Sequence, residues 1–234
     1  MSRESFDNFG RLTGADLSWT TMAGRYSFQA SAEPRIVADI ASKLRLNRND
    51  TLLEIGCGAG NLLIPLADLV RSATGIDHAR LLQKLGERSS SIRCIPGNFI
   101  DAQIAESFSK ILIYSVIHYL ADEAEIIEFV TKAAGLLSHG GRMLIGDITN
   151  IDKKRAFEAS PLGREFLDNW RRNVRPDSGV SIPDSKRVTI DECIIDRLRN
   201  HLKSSGFEAA RLNQPEDLPF CYTREDMLVS HSTL

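Results

Sequence analysis

The stretch Leu52-Leu53-Glu54-Ile55-Gly56-Cys57-Gly58-Ala59-Gly60-Asn61 decides the fold of this chain. An apolar, strand-forming segment ends in it, three glycines follow at alternate positions, and a helix-forming run begins directly afterwards. Glycine permits positive φ and lets a ligand approach bare backbone. Unpaired N–H groups at a helix start carry a partial positive charge. The stretch therefore predicts a strand, a tight turn and a helix start that form a socket for a ligand with an anionic group.

The composition is that of a globular chain of 234 residues, with 42% hydrophobic and 26% charged residues. A formal net charge of −2 argues against nucleic acid as a main partner, because nucleic-acid-binding domains carry an excess of base. The N-terminus lacks the apolar core of a signal peptide and no apolar run reaches membrane-spanning length, so we expect no membrane partner. Cysteines without a Cys-x-x-Cys pair indicate reduced thiols and a cytoplasmic protein. They are Cys57, Cys94, Cys193 and Cys221.

Strand-like and helix-like segments alternate through most of the chain. Strands are predicted at 51–55, 73–76, 91–95, 110–114 and 142–146. Helices are predicted at 33–46, 61–70, 79–87 and 122–137, with Gly140-Gly141 as the turn after the last. This βα alternation predicts a parallel sheet that is covered on both faces.

The C-terminal third changes the pattern. Residues 148–188 break the alternation, and an amphipathic helix at 191–205 precedes two strands at 207–213 and 226–231. The segment between those strands is too short for a crossover helix, so they should pair antiparallel. We therefore predict an α/β fold with a doubly wound, mostly parallel seven-stranded sheet and a terminal antiparallel hairpin.

The spacing of the glycines limits the class of ligand that the loop can bind. A dinucleotide site needs Gly-x-Gly-x-x-Gly, with the third glycine where Asn61 stands, and the Gly-Lys-Ser/Thr of a P-loop does not occur. Asp77 ends the next strand, about twenty residues past the glycines, where an acid accepts hydrogen bonds from a ribose diol. The pattern predicts a nucleoside ligand without a pyrophosphate.

Five segments in order strengthen this interpretation. They are Glu-x-Gly-x-Gly-x-Gly at 54–60, Asp77, Ile95-Pro96-Gly97-Asn98-Phe99, the fourth-strand segment at 108–120, and the Leu-Leu-x-x-Gly-Gly segment at 136–145. Together they resemble the class I S-adenosylmethionine-dependent methyltransferases, and the resemblance covers nearly the whole chain. It implies a Rossmann-like single domain over 1–234, S-adenosylmethionine as cofactor, S-adenosylhomocysteine as product, and methyl transfer by in-line displacement.

The resemblance also implies which residues bind the cofactor. They are Glu54, Gly56, Cys57, Gly58, Gly60, Asp77, His78, Asn98, Phe99 and Tyr114. Glu54 orders the loop or reaches the ligand's ammonium group, and Asp77 binds the ribose, caps the helix at 79–87, or does both. Asn98 stands where relatives usually have an acid, and an amide oxygen can still accept from the adenine amino group. Some of these residues have a structural role as the alternative to cofactor binding. Cys57 could fill space in the loop, Asn98 and Phe99 could form a plain turn, and Tyr114 could simply end its strand.

Three residues are candidates for catalysis. His118 follows the fourth strand, where α/β enzymes bind their ligands, and a neutral imidazole there can accept the acceptor's proton. Alternatively, His118 packs between the sheet and a helix. Tyr119 is a weaker candidate, and Tyr26 belongs to a segment that either closes over the ligands or merely packs. Tyr114 stands where a metal-dependent relative needs an acid, so we predict metal-independent transfer even though Asp147 is in position.

The substrate cap is expected from the segments outside the core pattern, an N-terminal lid at 1–32 and the insertion at 148–188. Basic residues outnumber acids in the insertion; they are Lys153, Lys154, Arg155, Arg164, Arg171, Arg172, Arg175, Lys186 and Arg187. If they face inward, the substrate is anionic, such as a sugar nucleotide, another anionic sugar or an organic acid, whereas a solvated helix face is the alternative. Motifs of nucleic-acid methyltransferases do not occur, so a small-molecule substrate is predicted.

Two other functions compete with methyl transfer. A non-catalytic cofactor-binding or scaffold protein would keep the glycine loop and lose the acceptor pocket. An aminopropyl-type transferase would need an acidic polyamine site, and the fourth-strand segment has no acid before Asp122. The sequence leaves the acceptor atom and the oligomeric state open.

Overall fold

The computed structural model describes residues 3–12, 27–173 and 187–232. One seven-stranded sheet organises this part of the chain, with the strand order β3-β2-β1-β4-β5-β7-β6. The strands are β1 (Thr51–Ile55), β2 (Ser72–Asp77), β3 (Arg93–Pro96), β4 (Phe108–Tyr114), β5 (Leu137–Thr149), β6 (Phe207–Leu212) and β7 (Arg224–His231).

The pairing confirms the predicted topology. Strands β1 to β5 pair parallel, while β7 pairs antiparallel with both β5 and β6. The chain leaves β1 toward β2 on one side and returns to β4 on the other. The carboxyl ends of β1 and β4 therefore flank the switch point of the sheet, which is where open α/β sheets bind ligands.

Eight α-helices surround the sheet within the described ranges. They are α1 (Arg3–Leu12), α2 (Glu33–Leu44), α3 (Leu63–Ala67), α4 (Ala79–Arg88), α5 (Glu123–Ala134), α6 (Ile151–Ala159), α7 (Pro161–Asn173) and α8 (Glu192–Ser204). In the part of the chain that the structure describes, no helix has the length and apolar character needed to span a membrane.

Burial on both faces of the sheet follows from strand alternation. In β4, Ile111 and Ile113 join the cluster beneath α5 and α8, whereas Leu112 and Tyr114 join the opposite cluster with residues of α2 and α3. Successive side chains of a strand point to opposite faces, so a strand covered on both sides needs a continuous apolar run. The resulting two cores hold the carboxyl ends of the strands in fixed positions.

Two sequence predictions need correction. The helix predicted at 61–70 is α-helical only over Leu63–Ala67, after which the N–H groups of Leu69 and Val70 bond three residues back in a tighter turn. The strand predicted at 142–146 extends over Leu137–Thr149, because Gly140-Gly141 belongs to it rather than to a turn. The insertion begins with two helices, of which α6 follows the Asn150 cap and α7 starts at Pro161.

Candidate functional site

The glycine loop lies between β1 and α3 and has the backbone that its sequence predicts. Gly56, Gly58 and Gly60 have φ values of 80°, 55° and 85°. A Cβ on Gly56 would lie 2.6 Å from Val116, so close packing requires glycine there. A Cβ on Gly58 would instead point into open space. The loop therefore presents bare backbone to a pocket at Gly58.

Asp77 ends β2 and holds this loop. Its Oδ2 accepts a hydrogen bond from the N–H of Gly58 at 2.7 Å, and its Oδ1 accepts one from the N–H of His78 at 2.6 Å. Burial raises the pKa of the Asp77 carboxyl, and these two backbone hydrogen bonds oppose that effect. The carboxylate thus joins the ends of β1 and β2.

Asp77 was considered as the N-cap of the helix at 79–87, but the N-cap of this helix, α4, is His78. The His78 Nδ1 accepts from the N–H of Arg80 at 3.2 Å. Its ring lies 5.1 Å from that of Phe6 in α1 and does not line the pocket at the glycine loop. His78 therefore positions a helix start and supports α1.

The pocket at the glycine loop, about 50 Å³ in volume, brings together most of the predicted cofactor residues. We call it the glycine-loop pocket. Its lining includes Glu54, Gly56, Cys57, Gly58, Asp77, Tyr114 and Tyr119. Glu54 is almost completely buried at the end of β1. Gly60 lies beside Leu85 and Ile64, outside the lining.

Two side chains of this pocket also pack against the fold. The thiol of Cys57 is buried beside Gly75, where a Cβ would lie 2.6 Å from the sulfur, and burial raises its pKa well above the usual range. Cys57 is therefore a neutral filler of the loop. Tyr114 covers Gly146 of β5, where a Cβ would clash with the ring. Tyr114 thus both ends its strand and lines the pocket.

A smaller hollow adjoins the glycine loop and contains the predicted adenine residues. Asn98 and Phe99 line it together with Asp77 and Val116. The Asn98 Oδ1 accepts from the N–H of Ile100 at 3.4 Å, and the Phe99 ring packs edge-on against Phe129 at 5.0 Å. Asn98 and Phe99 therefore form a turn and also line a hollow beside the glycine loop, so the two roles considered for them are compatible.

Helix α1 lies over the glycine-loop pocket. Phe9 lines that pocket and packs edge-on against Tyr119, with ring centroids 4.9 Å apart. Phe9, Tyr119 and Leu81 form a small buried cluster. This part of the predicted lid segment covers the site, whereas the candidate Tyr26 lies outside the described residues.

Ser115 follows β4, and Asp147 lies near the end of the neighbouring β5. The two residues form a pair that the sequence analysis did not predict. Both are non-glycine residues with left-handed backbone, with φ values of 58° and 57°. The Ser115 Oγ donates to the Asp147 Oδ2 at 2.6 Å. The β5–β7 register shifts between Ile145 and Ile148, so Asp147 lies in a β-bulge. Strained residues of this kind concentrate at functional sites, although no motif signals them.

Asp226 on β7 holds the backbone of this pair. Its side chain is fully buried and its Oδ1 accepts from the N–H of Asp147 at 2.9 Å. Gln214 and Lys43 also donate to this carboxylate, at 3.0 Å and 2.7 Å. The Lys43 Nζ donates at 2.6 Å to Asp39, whose pKa is raised by burial. A buried charge network thus supports the Ser115–Asp147 pair.

His118 lies in a single turn of 3-10 helix, Ile117–Tyr119, next to the pair. Its Nδ1 is buried and makes no hydrogen bond within the described ranges. Burial, together with the positive charges of Arg224 and Arg187, lowers the pKa of His118 to about 3, and the nearby Asp147 opposes this effect. The imidazole is therefore neutral at physiological pH, and a weak proton acceptor.

A second opening of about 460 Å³ lies beyond the Ser115–Asp147 pair, between α6, α7 and the segment that leads into β7. We call it the cap cleft. Its lining includes Asn150, Lys154, Phe157, Phe166, Trp170, Phe220, Thr223 and Arg224. The Arg224 Nη1 donates to the Asp147 backbone oxygen at 3.3 Å and to its Oδ2 at 3.5 Å. Asp147 therefore contacts a lining residue of each pocket.

Most described bases of the insertion face solvent, as the solvated-face alternative predicts. The side chains of Arg155 and Arg171 are each 73% exposed and pair with acids of their own helices. Lys154 does line the cap cleft, and the Arg187 guanidinium lies 4.8 Å above the Tyr119 ring. Arg175 and Lys186 lie outside the described residues. In the ranges 3–12, 27–173 and 187–232, no group of three or more His, Cys, Asp or Glu residues is arranged to hold a metal ion.

Comparison with known families agrees with this architecture. Residues 52–141 match the family model of the methyltransferase domain. This match includes the glycine loop, Asp77 and the fourth-strand segment, and the complete seven-stranded topology surrounds it. Residues 52–141 therefore resemble a methyltransferase domain, and the chain has the Rossmann-like fold of the class I S-adenosylmethionine-dependent methyltransferases.

Particular relatives are more distant. The chain is 30% identical over 117 residues to a probable non-canonical nonribosomal peptide synthetase CymA of Salinispora arenicola, covering 47% of this chain and 2% of that protein. It is 29% identical over 126 residues to a ubiquinone biosynthesis O-methyltransferase of a Methylobacterium species, covering 51% and 49%. The chain thus spans about half the length of the second relative, and a small fraction of the first.

A solved structure with a similar fold is a phosphoethanolamine N-methyltransferase 1 of Haemonchus contortus, crystallised with phosphoethanolamine and S-adenosylhomocysteine. It superposes with a TM-score of 0.72 at 16% identity, covering 99% of this chain and 49% of that one. At this identity the likeness concerns the fold alone.

Proposed function

We propose that this protein transfers a methyl group from S-adenosylmethionine to a small-molecule acceptor. The observation that carries the proposal is the Asp77 carboxylate, which holds the N–H of Gly58 at the carboxyl ends of β1 and β2. S-adenosylmethionine supplies, when bound, a methyl group activated by a sulfonium. The match of residues 52–141 to the methyltransferase domain supports the same activity.

The residues of the glycine-loop pocket fit such a nucleoside amino acid. Each oxygen of Asp77 accepts one backbone hydrogen bond and keeps a lone pair for a ribose hydroxyl. The bare backbone of Gly58 allows close approach. Glu54 supplies a buried carboxylate for the ammonium group, and the Asn98–Phe99 turn supplies an amide and a ring for adenine. We keep Gly56, Cys57, Gly60 and Tyr114 as the scaffold and walls of this binding site.

We assign the acceptor end to the Ser115–Asp147 pair. The Asp147 carboxylate contacts Ser115, which lines the glycine-loop pocket, and Arg224, which lines the cap cleft. A carboxylate between two pockets can accept a hydrogen bond from an acceptor hydroxyl or amine and orient it. Orientation in a water-poor site contributes about 7–11 kcal/mol in favourable reactions, more than proton removal does.

His118 has a different role in this proposal. A base with a pKa of about 3 removes protons poorly at neutral pH, so we propose that His118 packs behind Tyr119 rather than acting as the general base. We also propose that transfer is metal-independent, because β4 ends in Tyr114 and Ser115 rather than in an acid that would complete a site with Asp147.

Calorimetric titration with S-adenosylhomocysteine tests the proposal. The unmodified protein should bind in the micromolar range, and Asp77→Ala should weaken binding by about 100-fold, because the hydrogen bonds that the ribose would donate to this carboxylate are lost. Asp68→Ala, an exposed acid at the end of α3, is the matched control and should bind normally. Failure of both S-adenosylmethionine and S-adenosylhomocysteine to bind at millimolar concentration would refute the proposal. Binding without methyl release on any acceptor would favour the scaffold alternative.

A further inference from the structure

Phe157, Phe166, Trp170 and Phe220 line the cap cleft as a connected series of aromatic rings, and Tyr222 packs against this series from outside the lining. The Phe157 ring of α6 stacks on Tyr222 at 5.0 Å with an interplanar angle of 5°, and it contacts Phe166 of α7 at 5.7 Å. Trp170 continues the series, 5.9 Å from Phe166 and 5.9 Å from Phe220. Such rings offer flat apolar faces on which another ring can stack with useful energy.

Polar side chains also line the cleft, and Asn150 and Thr223 among them already have partners. The Asn150 amide donates to Glu192 at 2.7 Å and to Glu225 at 2.6 Å, and its Oδ1 accepts two backbone N–H groups of α6. The Thr223 hydroxyl donates to the Phe220 backbone oxygen at 3.1 Å. These side chains have few hydrogen bonds left for a ligand rich in hydroxyl groups.

The cationic groups keep donors available for a ligand. Within the described residues, both hydrogen bonds that Arg224 donates leave from Nη1, so its other guanidinium nitrogens still carry donors. Lys154 is 56% exposed and is 3.9 Å from Glu158, the long and weak pairing of a surface ion pair. Arginine beside an aromatic surface suits a carboxylate or another planar anion.

We propose that the cap cleft binds a planar aromatic acceptor that carries an anionic group, with Arg224 binding the anion and the aromatic rings holding the acceptor ring. This inference rests on the proposed function, since it makes the cap cleft the acceptor site of the methyl transfer. The volume of about 460 Å³ lies within the range of about 300–1,000 Å³ that is typical of small-molecule sites. Among the acceptor classes considered from the sequence, the cleft favours an organic acid over a sugar.

Calorimetry with three matched probes tests the proposed chemistry, in the presence of saturating S-adenosylhomocysteine. The probes are 2-naphthoate, its neutral amide 2-naphthamide, and the saturated decahydro-2-naphthoate. We expect 2-naphthoate to bind at least about tenfold more tightly than either of the others, since the amide lacks the charge and the saturated acid lacks the flat ring.

Two variants connect each preference to its residue. Arg224→Gln should remove the preference for naphthoate over naphthamide, whereas Arg155→Gln, an equal loss of charge on exposed α6, should keep it. Phe166→Leu, a change at a side chain that is 41% exposed, should reduce the preference for naphthoate over its saturated analogue. Unchanged affinity for S-adenosylhomocysteine shows that each variant is folded.

The outcomes separate this inference from the proposed function. Equal binding of naphthoate and naphthamide would refute the anionic group, and equal binding of naphthoate and its saturated analogue would refute the planar ring. If S-adenosylhomocysteine binds and none of the probes does, the acceptor class is wrong while the proposed function stands. If S-adenosylhomocysteine itself does not bind, the proposed function fails.

Discussion

The glycine-loop pocket and the cap cleft lie on either side of Asp147 and are built in opposite ways. The glycine-loop pocket consists largely of backbone and strand ends, with a buried carboxylate holding a loop N–H at 2.7 Å. The cap cleft consists of side chains that α6, α7 and the segment before β7 bring together. The first pocket therefore depends on the sheet topology, and the second depends on which residues the insertions carry.

The difference in construction implies a difference in tolerance. A substitution in the glycine-loop pocket alters backbone geometry that the whole sheet edge shares, so it should affect donor binding strongly. A substitution in the cap cleft changes one wall and should alter acceptor preference while donor binding persists. Changes at Asp226 and Gly58 test the support beneath the two pockets and the backbone of the first one, and a change at His118 tests the electrostatics of the neighbouring turn.

The largest expected effect comes from removing the support that both pockets share. Asp226→Ala takes away the acceptor for the Asp147 N–H and one carboxylate partner of Lys43. Breaking a buried ion pair costs about 3–5 kcal/mol of unfolding free energy, and we expect the lower end because Asp39 still pairs with Lys43. Chemical denaturation measures the loss.

The control for this change is Asp196→Ala, which removes an exposed pair with Arg199 and a long contact of 3.9 Å with Arg211 and should cost no more than about 1 kcal/mol. Equal losses in the two variants would show that the buried network does not support the Ser115–Asp147 pair.

Gly58→Ala tests the backbone character of the first pocket. Gly58 and Gly140 both have positive φ and open space at the Cβ position, but only Gly58 lines the pocket. Alanine should strain the left-handed backbone by about 1–2 kcal/mol at either site. Only Gly58→Ala should also weaken S-adenosylhomocysteine binding, by about tenfold or more, because its methyl group occupies the ligand's path. A matching loss of affinity in Gly140→Ala would attribute the effect to strain alone.

The smallest expected effect concerns His118 and pH. Its folded pKa of about 3 is below the usual value of 6.5, so the unfolded chain binds more protons between these values. The associated stability is complete above pH 6.5 and is lost as pH falls toward 3. His118→Asn should remove about 1 kcal/mol of this dependence between pH 7.5 and about pH 5.8. Denaturation midpoints of both proteins across this range measure it, and parallel curves would contradict the buried, neutral histidine.

Sequence reasoning anticipated what local patterns control. All seven strands, their pairing and the positive φ of the three loop glycines follow from alternation, spacing and glycine content. The full length of β5 did not follow, because Gly140-Gly141 has the composition of a turn even though its residues continue the strand.

The cap cleft shows why the rest of the site could not be predicted. The aromatic residues of the cleft lie far apart in the chain, with 63 positions between Phe157 and Phe220. No periodic pattern connects them. The contact between Ser115 and Asp147 depends on two left-handed residues and a β-bulge that no propensity indicates. Likewise, the charges in the insertion left open a basic site or a solvated face, and they gave no sign of the four aromatic side chains that line the cleft.

The left-handed backbone of Ser115 and Asp147 has a consequence for engineering this protein. Glycine adopts that conformation without the penalty of about 1–2 kcal/mol that other residues incur. A library selected only for heat resistance should therefore enrich glycine at both positions. Such variants would lose the hydroxyl and the carboxylate that meet between the two pockets. Selection for thermal stability should thus favour glycine at these two positions, whereas selection for turnover should favour serine and aspartate.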